Sequence, residues 1–179
     1  RITKIYMHSN HKNGILKKGD CVKRFEDERL LLGQGKFVDN RDLQGQVFLQ
    51  FHRSIHGHAK IKGIDIKKAS SMPGVKGIFT GEDLIRDHVQ PIPVKMPFTR
   101  EDGSPASSAP YYPLATDSIR FIGQAVAMVI AETAQQALEA SESIEVDYEV
   151  LPVITSMKEA LKPEAPKLWE KISDNIVAE

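Results

Sequence analysis

Cysteine is nearly missing from this chain, Cys21 being the only one in 179 residues. That excludes an internal disulfide and any all-cysteine cluster held by this chain alone. Net charge is missing too, with 24 Lys and Arg against 24 Asp and Glu. A chain whose main partner is nucleic acid needs a net positive stripe to displace counterions, so that class is set aside. No run of 18 apolar residues occurs, and no segment reads as a membrane span. The N-terminus lacks the apolar core of a secretion signal, which points to the cytoplasm. Position 1 is Arg rather than Met, so the numbering is expected to start inside a longer product. The length suits one domain with a proper core, or one domain plus tails, but not two large ones.

The most legible stretch runs from Ser118 to Pro152. Ala125 to Ala131 is apolar on both alternating faces, with Val126, Met128 and Ile130 on one and Ala125, Ala127, Val129 and Ala131 on the other. Such a strand needs cover on both sides. Thr133 stands where an N-cap belongs, with Gln136 three residues on as its capping-box partner, and Ala134, Ala137 and Leu138 follow at helical spacing. Then Ile144, Val146, Tyr148 and Val150 alternate with Glu145, Asp147 and Glu149, giving a strand with one buried and one wetted face, ended by Pro152. A strand-helix-strand core is expected here.

Upstream, residues 1–23 hold six Lys or Arg against one acid, Asp20, and read as a basic peripheral arm. His8 and His11 lie in it without a third ligand nearby. Arg24 to Asn40 changes character: charges of alternating sign, the triplet Leu30 to Leu32, then Gly33 and Gly35, too sparse a pair for a phosphate loop. Gln46 to His52 alternates Val47, Leu49 and Phe51 with Gln50 and His52, although Phe48 interrupts the polar face, and reads as a strand. Ser54 to His58 reads as its turn, and Ala59 to Ile66 as a second strand, most simply an antiparallel hairpin. His52, His56 and His58 cluster there; His56 and His58 could share a metal, but exposed turn histidines are common and no carboxylate or thiol stands beside them.

Lys67 to Met72 reads as a helical turn, Pro73-Gly74 as a turn and Val75 to Thr80 as a short strand. Gly81 opens a brief helix in which Glu82 and Asp83 favour the helix dipole while Leu84 and Ile85 can face the core. Adjacent helical carboxylates diverge, so Glu82 and Asp83 read as helix-start residues rather than an acid-base pair. His88 to Pro113 loses periodicity and holds six of the ten prolines. It reads as an extended excursion over a neighbouring surface or a mobile loop, with Tyr111 and Tyr112 as anchors. Ser156 and Glu159 suggest a second capping box, for a short helix to Leu161 stopped by Pro163 and Pro166. The remainder, with the only tryptophan, Trp169, reads as a connector leading elsewhere.

For chemistry the residues offer little. There is no Ser-His-Asp context, no zinc spacing, and Cys21 sits in a basic arm without an evident histidine partner. On residues alone this is a binding or structural module, with no catalytic, cofactor-binding or metal residue assigned.

The ordered blocks RFEDERLLLGQGKFVDN, FHRSIHGHAKIKGID, PGVKGIFTGEDL, LATDSIRFIGQAVAMVIAE and IEVDYEVLPVI, however, resemble the N-terminal α/β hammerhead domain of molybdenum hydroxylase catalytic subunits. This is the xanthine dehydrogenase and aldehyde oxidase family, and within it the pattern is most similar to the large chains of carbon monoxide dehydrogenase and of related bacterial and archaeal aldehyde dehydrogenases. The resemblance covers about Lys23 to Glu179. It implies an α+β fold, a mixed sheet with short helices. It implies a domain plan of basic arm (1–23), hammerhead (24–162) and connector (163–179) towards downstream molybdopterin-binding domains. The parent subunit of such a family is an oxidoreductase that holds a molybdenum-pterin and hydroxylates a substrate carbon, with iron-sulfur centres and FAD on partner subunits. The family's base and cofactor loops lie downstream, so none carries over to a position here. The Gly123-Gln124 pair is read as a turn into the buried strand. The expectation is a scaffold domain that is not catalytic by itself, in a hetero-oligomeric parent enzyme; the alternative is an independent non-enzymatic binding module using the same fold. Arg24, Glu26, Asp27, Arg29, Leu30 and Leu31, with Tyr111 and Tyr112, are the candidate interface residues.

Overall fold

A computed structural model of the chain describes residues 24–38, 41–93 and 97–177. His8, His11, Cys21 and the basic arm lie outside them. The chain divides into two compact units, 1–44 and 45–179.

In the first unit the described residues form one short helix, α1 (Asp27–Leu31), with no buried residue. Asp27 accepts the N–H of Arg24 at 3.1 Å and so holds the first turn.

The second unit contains β1 (Phe48–Arg53), β2 (Ala59–Asp65), α2 (Lys67–Ser70), β3 (Val75–Thr80), α3 (Gly81–Arg86), β4 (Ser118–Ile119), β5 (Ala125–Ala131), α4 (Ala134–Glu142), β6 (Glu145–Val150) and α5 (Met157–Ala160). The α+β class and the short helices are as the sequence leads one to expect. The strands, however, form two antiparallel three-stranded sheets, β1-β5-β3 and β4-β2-β6, in place of one mixed sheet. The expected β1-β2 hairpin does not form. β1 pairs with β5, from Phe48 opposite Ala131 to His52 opposite Ala127, while β2 pairs with β6 and β4. Residues 54–58 are instead a crossover between sheets. Ser54 is buried in that crossover and fixed to the Gly123-Gln124 turn, donating its N–H to the Gln124 carbonyl at 2.9 Å and accepting the Gly123 N–H at 2.8 Å. The turn reading of Gly123-Gln124 therefore holds, and Gly123 takes φ +83° there.

β5 is the centre, as its two apolar faces require. Ala127 and Val129 are buried with Ala69 of α2, Ala140 of α4 and Ile144. Val126, on the opposite face, is buried with Ala59, Ala115 and Ile119. Ile64 and Val146 touch both clusters and join them. The helix α4 carries the expected box: Thr133 accepts the Gln136 N–H at 3.2 Å, and the Gln136 amide oxygen accepts the Thr133 N–H at 3.1 Å. Its buried face is Ala137, Ala140 and Ser141, whereas Leu138, expected inside, is exposed. Small residues let the helix axis approach the sheet, and a leucine there would hold it off. The Pro73-Gly74 turn abuts the cap, for a Cβ on Gly74 would collide with the Gln136 amide.

α3 is capped through Asp83, whose carboxylate accepts both the Thr80 N–H at 2.7 Å and the Thr80 hydroxyl at 3.0 Å. That backbone N–H, ahead of the hydroxyl and Arg86, holds the Asp83 carboxyl below its ordinary range. Three expectations fail in detail. Ser156 makes no side-chain cap to the four-residue α5, and Ile85 and Val150 are exposed rather than inward. β6 is an edge strand and α3 a single short helix, so the last apolar residue of each reaches past the core.

Candidate docking surfaces

The eight candidate interface residues fall into different units. In α1, Glu26 and Arg29 pair at 2.6 Å with both side chains about half exposed, and Leu30, Leu31 and Leu32 are all exposed. Such pairs contribute little to folding, so this stretch offers charge and apolar surface that the described residues do not bury.

Tyr111 and Tyr112 lie in the second unit, on the rim of a cleft of about 820 Å³ between β2, residues 108–118 and residues 167–172. The stretch from His88 to Pro113 reaches it tethered at several points. Ile92 donates its N–H to Tyr111 O at 2.7 Å, and the Tyr111 ring stacks on Phe121 at 6.3 Å. Arg100, largely buried, is a node that the sequence did not announce. It forks onto the Asp174 carboxylate at 2.8 and 3.1 Å, and also donates to Ser107 Oγ and the Ile176 carbonyl. The Arg100 guanidinium, followed by the Ile176 N–H, holds the Asp174 carboxyl well below the usual carboxylate range.

The C-terminal stretch read as a connector folds back onto the same surface. Arg120 donates to Leu168 O at 3.0 Å and lies 5.3 Å above the Trp169 ring, a cation–π contact. The Gln124 side chain in turn accepts the Arg120 N–H at 2.7 Å. Three of the five Lys and Arg side chains lining the cleft are paired within the chain: Lys60 with Glu170 at 3.2 Å, Lys62 with Glu149, and Arg120 with Asp117 at 3.3 Å.

His52, His56 and His58 are held by contacts within the chain. His52 Nδ1 sits 2.8 Å from the Ser141 carbonyl of α4, His58 Nδ1 3.0 Å from the Pro152 carbonyl, and His56 stands edge-on to Tyr148 at 4.9 Å. Among the described residues no three His, Cys, Asp or Glu side chains converge as a metal site would require. The described residues thus assemble no donor set for a resident metal.

Known proteins give the arrangement a context. A family model described as the aldehyde oxidase and xanthine dehydrogenase a/b hammerhead domain matches residues 32–152. The carbon monoxide dehydrogenase large chain of Afipia carboxidovorans is 39% identical over 86% of this chain, which covers 18% of that protein. The nicotine 6-hydroxylase large subunit of Paenarthrobacter nicotinovorans is 35% identical over 80% of this chain and is covered to 17%. The crystal structure of a Cu,Mo-CO dehydrogenase superposes with a TM-score of 0.70 at 37% identity, over 87% of this chain and 18% of that one. The chain thus spans less than a fifth of the length of these relatives. Two small antiparallel sheets, one of them centred on β5, and a match running from Leu32 to Pro152 lead to one conclusion: this chain belongs to the aldehyde oxidase and xanthine dehydrogenase family and carries its a/b hammerhead domain.

Proposed function

We propose that this chain is the scaffold domain of a molybdopterin-dependent hydroxylase large chain, of the carbon monoxide or aldehyde dehydrogenase kind, and that it is not catalytic alone. The observation that carries the reading is the hammerhead match over 32–152 combined with coverage of only 18% of a carbon monoxide dehydrogenase large chain. A domain of that share, with no assembled donor set among its described residues, supplies a platform while the chemistry belongs to the rest. The molybdenum-pterin then resides in the downstream part of the subunit, with iron-sulfur and FAD groups on partner subunits in a cytoplasmic hetero-oligomer. No helix among the described residues is long and apolar enough to cross a membrane. The plan of arm (1–23), hammerhead (24–162) and connector (163–179) belongs to the same reading. Arg24 to Phe37 serves as a docking segment, with Arg24, Glu26, Asp27 and Arg29 orienting and Leu30 and Leu31 supplying the apolar centre.

Metal analysis and dye-linked assays with carbon monoxide and several aldehydes test this. The 179-residue chain should hold no molybdenum and turn nothing over, whereas the large chain assembled with its subunits should hold molybdenum and turn substrate over. Stoichiometric molybdenum with turnover on the short chain would overturn the proposal.

A further inference from the structure

The sheet β1-β5-β3 has two faces, and only one is furnished. On the first, Ala127 and Val129 pack with α2 and α4. Side chains of directly opposed residues share a face, so the register places Leu49 beside Ile130, and Phe51 beside Met128 beside Phe79, on the second. Val126 at one end of this face is covered by Ala115 and Ile119. Beyond it the surface opens: Leu49 is 48% exposed and Phe79 37%, and Phe51, Met128 and Ile130 between them are only half-buried. Gly77 leaves room for the Phe79 ring to lie flat along the sheet, since a Cβ there would stand 3.2 Å from that ring. Charge appears only at the ends, where Arg53 lies 5.2 Å over the Phe51 ring and Lys76 pairs with Glu132 at 2.6 Å.

A continuous apolar face with a charged rim has the anatomy of an interface. Its centre carries no charge, and at its rim Lys76 and Glu132 pair with each other while Arg53 lies on the Phe51 ring and donates to the Gly123 carbonyl, which suits a permanent contact better than electrostatic selection of a separate partner. The chain spans only 18% of the carbon monoxide dehydrogenase large chain it resembles, and covalent linkage gives the remainder of such a chain a high local concentration. We infer that the open face formed by Leu49, Phe51, Phe79, Met128 and Ile130 is the seat on which the remainder of the same large chain packs. The inference rests on the proposed function and names the partner surface within it.

Hydroxyl-radical footprinting with mass spectrometry reads these side chains directly, with dose matched by a free reporter peptide. Oxidation of Met128 and Phe79 should fall roughly fivefold or more on going from the 179-residue chain to the full-length large chain, as for residues entering an interface core. Undiminished oxidation in the full-length chain overturns the inference. So does protection that grows with the concentration of the short chain together with a dimer mass by light scattering, which makes the occupant a second copy. Protection that arrives only when an iron-sulfur or flavin subunit is added overturns it as well. A full-length chain that holds molybdenum yet leaves Met128 and Phe79 reactive defeats the inference alone; a full-length chain that protects them but takes up no molybdenum defeats the functional reading alone. Leu49→Glu with Phe79→Glu supplies a second arm, in which the melting temperature of the short chain is kept while Met128 stays reactive in the full-length one.

Discussion

A methyl group at position 81 would have nowhere to go. Gly81 opens α3, and a Cβ there would run into the carbonyl oxygen of Ala115 and the Cα of Thr116, backbone atoms that cannot swing aside. Ala115 is itself tied to β5, its N–H meeting the Ala125 carbonyl at 2.8 Å. Gly81→Ala therefore forces apart the corner between α3 and the strand that centres the core. Overpacking of this kind costs about 1–3 kcal/mol, and each kcal/mol lowers the melting temperature of a domain this size by about 2–4 °C. Calorimetry showing an unchanged melting temperature would mean that the corner is not closed in solution. The sequence marked Gly81 as a helix start and nothing more, because the backbone it meets lies more than thirty residues away. Asp174 was invisible for the same reason: its partner Arg100 is 74 positions distant.

Among elements, those built from local signals were legible and those built from pairing were not. β5 was read from seven apolar residues and α4 from the Thr133-Gln136 box, and both stand where expected. The same pattern at Ser156-Glu159 failed, since a four-residue helix with exposed Met157 and Leu161 has no packed face to fix its cap. The two boxes thus make a paired prediction. Thr133→Ala should cost about 1 kcal/mol, whereas Ser156→Ala should stay within about 0.5 kcal/mol of the parent; equal losses in chemical denaturation would contradict the distinction. Alternation in β1 shows a strand but not which face is covered, and Leu49 lies on the open side. Chain neighbours β1 and β2 do not pair because crossover residues 54–58 carry the chain from one sheet to the other. For α1, the pair Glu26–Arg29 is exposed, so reversing both charges should leave the melting temperature unchanged. It should weaken capture of the iron-sulfur or flavin subunit in a pull-down with the full large chain; normal capture, or lost stability of the short chain, would refute the docking role of this segment.

At the scale of the whole molecule, the stretch around Arg100 and the C-terminal residues are one structure rather than two tails. Ser107 donates its N–H to the Val177 carbonyl at 2.8 Å, and Asp174, which receives the Arg100 fork, also accepts the Ile176 N–H at 2.9 Å. The contact fixes the C-terminal residues against the stretch around Arg100. Because the folded carboxyl of Asp174 is depressed, its contribution is fully present above the ordinary carboxylate pKa. It is lost only as pH falls through the lowered folded value. Protection of the Ser107 amide in hydrogen exchange, corrected for intrinsic rate, should thus be flat from neutral pH to about pH 4, where ordinary aspartates are already half protonated. Trypsin supplies an independent reading, since it must take the Arg100 side chain into its own pocket and the Asp174 fork withholds it. Asp174→Ala should make cleavage after Arg100 several-fold faster while the melting temperature barely moves, because opening here is local rather than global. Equal tryptic rates, or a protection that already fades near pH 5, would show that Asp174 does not hold Arg100 and that the C-terminal residues are fixed by other contacts.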